Sequence, residues 1–578
     1  MRIAIRGSLV CAGLCCASLS APAQEPAVNA TVPAAVIPGQ PLNVRLQGGN
    51  LAGAKGIWTS FAAQTALAAD VPENGTKADQ VTFSITAASD VPVGIHGLRV
   101  WTDKGVSPLR FLLVDDLPTV AQAGNNTTPE TAQVLSLPTA VDGAVGNLSV
   151  QYFKFPAAEG QTLSFEVLSR RIGSSLDPMI RILDARGREL AFSDDAAGLS
   201  GDSQISHKFA AAGDYLLELR DIRFQGGAYR LRIGDFPCAT VAYPLAIQRG
   251  QTAPITLAGF AIDGVAPVNV TAPADPLISW IPVSLKRTGG VSSGFSTLAV
   301  VDRPQFVEVE PNNAPEQANR VELTQDVNGR FEQAGDIDRF VFKAPKDASY
   351  VFTGVTRTQG SPSDLNIKVL KADGGQLGAV DDTGTDEGSV TIKFPDEADY
   401  TLVVEDLAKR GGPQHAYRIA IEPAVAKFEL AVSTDTFNVP AGGSIFATVT
   451  AKRINYGGPI ELSVAGLPEG VTASKSVIGA GRNDAVITLT AGPAYQPGSM
   501  QLVQVIGTGT EPNQRATADF AAALKPKLAN MRFPPATLTS TLTTSAAAAP
   551  GFTWKAEPAE VVFGKQLATK TKLIAARG

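Results

Sequence analysis

The chain has 578 residues, with 49 Lys and Arg against 55 Asp and Glu, and a formal net charge of −6. At about 100–200 residues per domain, this length predicts several domains. The mildly acidic balance lacks the basic surface that attracts phosphate backbones or anionic lipids, which argues against nucleic acid and membrane surfaces as partners. The 55 Gly and 39 Pro favour short strands joined by tight turns, so the composition predicts an all-β protein.

Residues 1–23 have the pattern of a signal peptide. Arg2 and Arg6 form a basic start, an apolar stretch follows, and a small-residue cleavage site ends at Ala23. Cleavage would leave Cys238 as the single cysteine, without a partner for an internal disulfide. No later run reaches the roughly 20 apolar residues of a membrane helix. We therefore expect a secreted or cell-surface protein, with the periplasm as the alternative, and no membrane insertion after cleavage.

Two kinds of module alternate along the rest of the chain. Residues 24–118 (the N-terminal module) and 236–304 (the middle module) each open with a turn and an alternating strand, which is typical of immunoglobulin-like, IPT/TIG-like sandwiches. Residues 122–234 (copy 1) and 305–423 (copy 2) are two copies of a different unit. Residues 424–523 (the C-terminal module) again read as immunoglobulin-like. We expect a tandem array of β-sandwich domains, immunoglobulin-like and jelly-roll-like.

The duplication is visible as matched motifs that run almost without gaps. Tyr152-Phe153-Lys154-Phe155 matches Arg339-Phe340-Val341-Phe342, and Asn125-Asn126 is aligned with Asn312-Asn313. The pairs Asp194-Asp195 and Asp381-Asp382, and the later Tyr229-Arg230 and Tyr417-Arg418, recur in the same order. Alternating apolar residues in both copies predict half-buried strands. The Asp pairs are typical of turns, and the Tyr-Arg pairs are expected to lie inside the sandwich.

Residues 524–578 are expected to be a linker followed by a partial β module. Thr and Ala dominate from 537 to 549, whereas 561–563 and 572–578 echo strands of the C-terminal module. A chain that stops one or two strands into a further sandwich would expose an apolar, aggregation-prone edge.

The motifs of copy 2 resemble those of the bacterial pre-peptidase C-terminal domain. They comprise 308–313 (Glu-Val-Glu-Pro-Asn-Asn), 335–340 (Gly-Asp-Ile-Asp-Arg-Phe), Asp381-Asp382 and 398–400 (Ala-Asp-Tyr). The resemblance covers copies 1 and 2, a little under half the chain, and the module order resembles that of large secreted proteins of planctomycete-type bacteria. It implies a β-sandwich accessory module attached to secreted peptidases and other exported proteins. Collagen-binding relatives in clostridial collagenases carry calcium at the entry to this domain.

The residues at the entry of copy 2 suit such an ion. Alternate side chains of an extended segment share a face, so Glu308, Glu310 and Asn312 can converge, with Asn313 beside them, and the adjoining strand brings Asp336 and Asp338. Calcium takes 6 to 8 oxygen ligands at 2.3–2.6 Å, which carboxylates and amide carbonyls supply. The alternative is a solvated acidic turn without an ion. The prediction is a structural calcium held by Glu308, Glu310, Asn312, Asn313, Asp336 and Asp338.

Copy 1 departs from this pattern. Gln122-Ala123-Gly124 replaces the acidic entry, and Ser149 and Gln151 occupy the positions of Asp336 and Asp338. Carboxylates are the groups that attract a hard dication, so we expect no calcium at this position in copy 1.

The histidines give no sign of a catalytic metal site. His96, His207 and His415 are far apart, and the chain has no zinc-binding HExxH. We therefore expect a noncatalytic exported protein for adhesion or for binding extracellular polysaccharide or protein. Two alternatives stay open, the accessory part of a secreted peptidase or other hydrolase and a structural spacer of a surface layer.

Exposed aromatic residues would favour binding over a spacer role. The side chains to inspect are Trp58, Trp101, Trp280 and Trp554. The oligomeric state is left open.

Overall fold

The computed structural model describes residues 3–5, 25–381, 388–492, 495–496, 499–510, 514–529, 531, 533–548, 552–557, 561–563 and 572–577. The protein is a tandem array of β-sandwiches, as the composition predicts, with one short α-helix among the described residues. None of the helices in these ranges is long and apolar enough to cross a membrane. The predicted signal peptide lies outside the described residues, apart from the strand Ile3–Ile5.

The N-terminal module packs a four-stranded sheet against a five-stranded one. Its core is built from inward-facing residues of both sheets, such as Val44, Phe83 and Leu98. The first sheet has the strand order Ala27–Val32, Pro41–Gly49, Gln80–Ala87 and Ala63–Leu67. The second has the order Ala35–Val36, Arg110–Val114, Gly94–Thr102 and Gly56–Thr59, with Gly105–Val106 paired to Gly94–Thr102.

Copies 1 and 2 share one topology, two five-stranded sheets with the same strand order. Each sheet places alternate apolar residues in one core between the sheets, with Phe153 and Phe155 in copy 1 and Phe340 and Phe342 in copy 2. In copy 1 the first sheet has the strand order Thr119–Ala121, Thr139–Val145, Gly227–Gly234, Thr162–Leu168 and Gln204–Lys208. The second sheet of copy 1 has the order Gln133–Val134, Val150–Ala157, Gly213–Asp221, Pro178–Leu183 and Glu189–Ser193. In copy 2 the first sheet has the strand order Gln305–Val307, Asp326–Arg330, Ala416–Pro423, Ser349–Val355 and Ser389–Lys393. The second sheet of copy 2 has the order Asn319–Arg320, Ile337–Ala344, Ala398–Asp406, Leu365–Lys371 and Gln376–Asp381. Each copy also has two 3-10 turns, Pro129–Thr131 and Arg170–Ile172 in copy 1 and Pro315–Gln317 and Arg357–Gln359 in copy 2.

The middle module is the smallest sandwich, with two three-stranded sheets. The first has the strand order Cys238–Tyr243, Thr252–Phe260 and Val268–Thr271. The second has the order Ala246–Gln248, Ser293–Val301 and Trp280–Lys286. Cys238 is buried and free, beside Leu117 and Phe236 at the junction with copy 1.

The C-terminal module extends beyond residue 523, which corrects the linker expected from 524 onward. The helix Ala521–Leu524 and the 3-10 turn Lys525–Lys527 lead to the strand Thr543–Ala547, which pairs with Thr436–Pro440 and Met500–Leu502. Leu528, Leu538 and Leu542 belong to the core of this module. A Thr- and Ala-rich segment can therefore be structural, because small side chains fit the buried face of a strand that lies between two others. The remaining strands form one sheet in the order Val471–Ala473, Asp484–Ala491, Ser444–Ile454, Lys427–Val432, Gln514–Asp519, Gln504–Gly509, Ile460–Ala465 and Ser476–Ile478.

The last described residues form strands, as the echo of the C-terminal module predicts. Phe552–Glu557 pairs antiparallel with Lys572–Arg577, and Val561–Phe563 pairs with Ile3–Ile5.

The array folds back on itself, because the N-terminal module contacts the C-terminal one. Arg99 donates to Asp435 at 2.8 Å, and both side chains are fully buried. The Asn438 side chain bonds to both backbone groups of Val106, and Leu109 completes the core of the C-terminal module. Buried charges are costly unless they are paired, so this contact specifies one arrangement of the two modules.

Candidate metal centre

The entry to copy 2 brings acidic side chains from separate segments to one place. Gln305–Val307 runs parallel to Asp326–Arg330, and the Glu308 N–H continues this ladder by donating to the Asn328 carbonyl at 2.9 Å. Asp338 lies on Ile337–Ala344, where alternate side chains are buried. The extended entry segment and this strand therefore present their polar side chains to each other.

Carboxylate oxygens of Glu308, Glu310 and Asp338 lie within 4.8 Å of one another. Oxygens bound to one calcium at 2.3–2.6 Å are at most about 5 Å apart, so the spacing suits a single ion. The donor set contains oxygen only, which favours calcium over the metals that select nitrogen or sulfur. The side chains present therefore fit the ion that the resemblance implies.

Two buried oxygens at this point have no hydrogen-bond partner, Asp338 Oδ1 and Asn312 Oδ1. Asp338 and Asn312 are both fully buried. The other oxygen of Asp338 accepts from the Tyr417 hydroxyl at 2.5 Å, and the Asn312 amide group donates to Glu308 at 3.3 Å. Leaving a buried acceptor unpaired costs on the order of 1–3 kcal/mol, more for a charged group. A cation beside Asp338 Oδ1 would remove that cost.

Burial raises the pKa of all three carboxyl groups above their ordinary values, and neighbouring negative charges add to the effect. For Glu308 the largest contribution after burial is the charge of Asp338. Arg330 directs its guanidinium to Glu332 at 2.6 Å, and none of the described Lys and Arg side chains forms an ion pair with the three carboxylates. The centre thus concentrates negative charge without a protein counter-ion.

The remaining two predicted ligands lie beside the centre. Asp336 accepts from the N–H groups of Glu332 at 2.7 Å and of Ile337 at 3.1 Å, so it holds a turn. Asn313 is exposed, and its carbonyl accepts from Arg339. The structure therefore brings together four of the six predicted side chains, Glu308, Glu310, Asn312 and Asp338. Sequence reasoning missed Tyr417, although the recurring Tyr-Arg pair marked it as part of the repeat.

The same position in copy 1 is a closed network of neutral groups. Gln122 Nε2 donates to Gln151 at 2.9 Å, and Gln122 Oε1 accepts from the Tyr229 hydroxyl at 3.0 Å. Gln151 in turn donates to Ser149 at 3.2 Å. Amide groups satisfy one another here, whereas in copy 2 acidic oxygens face one another.

One pairing in the sequence alignment of the copies is wrong. Asn126 is fully buried with an unpartnered Oδ1, like Asn312, so it corresponds to Asn312 and not to Asn313. Copy 2 has one more residue between the turn at Pro315–Gln317 and the strand of Asp338 than copy 1 has at the same place. Side-chain burial reveals this shift, which adjacent Asn residues hide in the sequence.

No family model matches the chain. A probable subtilase-type serine protease of Deinococcus radiodurans is 41% identical over 71 residues, which are 12% of this chain and 10% of the protease. The chain thus matches about a tenth of the length of that relative.

Similar solved structures include the pre-peptidase C-terminal domain of a Bacillus anthracis collagenase, at 18% identity, 19% of this chain, 99% of that chain and a TM-score of 0.16. The M60 catalytic domain with two CBM51 domains from Clostridium perfringens is 11% identical to this chain, with a TM-score of 0.13. The match covers 66% of this chain and 53% of that structure. The N-terminal four Ig domains of Dscam1 are 9% identical to this chain, with a TM-score of 0.15. The match covers 84% of this chain and 96% of that structure. TM-scores this low carry no argument about function.

Proposed function

We propose that this chain is a noncatalytic, exported modular protein that binds polysaccharide or protein outside the cell, and that copy 2 is stabilised by calcium. The observation that supports the calcium site best is the centre formed by Glu308, Glu310, Asn312 and Asp338. Three carboxylates without a counter-ion among the described residues, one of them with an unpartnered buried oxygen, are a poor arrangement for an empty site. An ion that binds only the folded state stabilises it by mass action, which suits a protein whose one described cysteine is free.

The described histidines support a noncatalytic role. His415 Nδ1 lies 3.0 Å from the Ser363 hydroxyl, which is the pairing that an activated serine needs. Ser363 is fully buried, however, and His415 is 4% exposed. A substrate could not reach this hydroxyl, so the pair acts within the fold of copy 2. His96 is equally buried and bonds to the Pro92 carbonyl at 2.9 Å.

A second candidate is the accessory part of a secreted peptidase. The 71 residues shared with the subtilase-type protease favour it, because modules recur beside different catalytic domains. Under this alternative the β-sandwiches would position the enzyme or its substrate, and the chain itself would still be without hydrolytic activity.

Titration calorimetry of the full chain with calcium tests the metal proposal. We expect one ion per chain, because only copy 2 has the carboxylates. The variant Asp338→Asn should abolish the binding heat, whereas Asp399→Asn, which changes an exposed carboxylate of the same copy, should retain it. Two ions per chain, or equal binding by Asp338→Asn, would contradict the proposed centre.

A further inference from the structure

A cleft of about 500 Å³ lies where the N-terminal, middle and C-terminal modules meet. The N-terminal module contributes the start of Gly94–Thr102, the middle module the loop before Trp280–Lys286, and the C-terminal module the segment around Leu502. The volume falls within the range of small-molecule sites, about 300–1,000 Å³. Since three modules form its walls, the cleft exists only because the array folds back.

Trp280 lies on the wall of this cleft and is only half-buried. Trp58, by contrast, packs against the core of the C-terminal module. In the middle module Ile281 packs against the core, and Trp280 is not among the described residues that do so. Ile278 and Leu502, which also line the cleft, are 36% and 47% exposed. A half-buried aromatic ring flanked by open aliphatic side chains offers a flat apolar surface to a ligand.

The loop that precedes Trp280 is held in place. Arg249 donates to the carbonyl of Ile278 at 2.7 Å and also to that of Asp275. The Asp275 carboxylate accepts from the Leu277 N–H at 2.9 Å through Oδ1. The other oxygen of this exposed carboxylate takes no part in that bond. The position of Asp275 relative to Trp280 is thus set before any ligand binds.

The charge of the cleft restricts the ligand. Asp275 is the single carboxylate among the described lining residues, and these include no Lys or Arg. His96 also lines the cleft, but burial lowers its pKa, so it is neutral. Sulfated or carboxylated ligands are recognised by Arg or Lys, which this lining lacks. A carboxylate instead accepts strong hydrogen bonds from hydroxyl donors.

We propose that this cleft binds a neutral sugar ring of a polysaccharide, with one face of the ring stacked on Trp280 and a hydroxyl bonded to Asp275. A pyranose has an apolar C–H face and a polar edge of hydroxyl groups, which matches an aromatic wall beside one acceptor. The inference rests on the proposed function, for which it names the ligand class and the site.

Binding of the full chain to neutral polysaccharides tests the inference. A β-glucan, a mannan and a galactan serve as probes in calorimetry, with polygalacturonate as the acidic comparison and a proline-rich peptide as the protein comparison. We expect binding to at least one neutral glycan. Trp280→Ala should weaken it by about tenfold or more, the loss expected for a central aromatic contact. Trp101→Phe, which changes a tryptophan outside the cleft lining, should leave it unchanged.

Asp275→Asn provides a second variant whose folding is not at risk, because its amide oxygen can still accept from the Leu277 N–H. It should also weaken glycan binding. Equal glycan binding by the intact chain and by both cleft variants would overturn the site and leave the proposed binding function standing. Stronger binding to polygalacturonate, or binding to the peptide alone, would overturn the ligand class. No binding to any probe by the intact chain would overturn the inference and count against the proposed function itself.

Discussion

Replacement of Asp338 by Asn should change the stability of copy 2 in opposite directions with and without calcium. The side chains of Asn and Asp have the same shape, so the Tyr417 hydroxyl keeps an acceptor while one buried ionisable group is removed. In the presence of a chelator the wild-type centre holds carboxylates whose oxygens lie within 4.8 Å of one another. Burial and the neighbouring charges raise the pKa of Glu308 to about 10 and that of Asp338 to about 8, so at pH 8 the folded chain takes up protons here that the unfolded chain releases, and this uptake costs stability.

The chelated variant should therefore be more stable than the chelated wild type, by on the order of 1–3 kcal/mol once the loss of other contacts is allowed for. Calcium should reverse the order. At a concentration 100 times its Kd, an ion that binds only the folded state adds about 2.7 kcal/mol, and this gain should be missing in the variant.

Scanning calorimetry of the full chain, in chelator and in calcium at pH 8, measures both effects. Only the transition of copy 2 should move, and Asp399→Asn is the matched control because its carboxylate is exposed and paired with Arg320. The reasoning is refuted if Asp338→Asn lowers the transition temperature in chelator, or if calcium raises it equally in variant and wild type.

Three further outcomes are expected from the junctions and from copy 1. Gln151→Ala should lower the stability of copy 1 by about 1 kcal/mol in urea unfolding, because it breaks a neutral amide network, and leave calcium binding unchanged. Asp435→Ala should cost about 3–5 kcal/mol, since it leaves the buried Arg99 without a counter-charge. Burial alone would raise the pKa of Asp435, but Arg99 and a neighbouring lysine lower it below its usual 3.8. The contribution of this carboxylate to stability is therefore present above pH 3.8 and is lost as the pH falls below that value. A free energy of unfolding that is independent of pH between 3 and 6 would contradict this. A chain ending at residue 523 should aggregate, while one ending at 548 stays soluble, because only the longer chain keeps the strand Thr543–Ala547, as light scattering can measure.

The sequence was informative wherever a property depends on the local pattern. Alternating apolar residues predict the strands of both copies, because side chains of a strand point to opposite faces in turn. The carboxylates of copy 2 and their neutral replacements in copy 1 are visible directly, so the different character of the two entry sites could be predicted. The Thr- and Ala-rich stretch was misleading, because composition does not reveal that Thr543–Ala547 lies between two other strands.

Sequence alone determined that this is an array of duplicated β-sandwiches with acidic side chains at one entry. Only the tertiary structure decided which of those side chains meet. Asp336 and Asp338 are two residues apart, yet one bonds to backbone N–H groups while the other faces Glu308 and Glu310. The reason is that hydrogen-bond partners and burial depend on segments distant in sequence. The same holds for the cleft at Trp280, whose walls come from three modules, two of which are joined by the buried pair of Arg99 and Asp435.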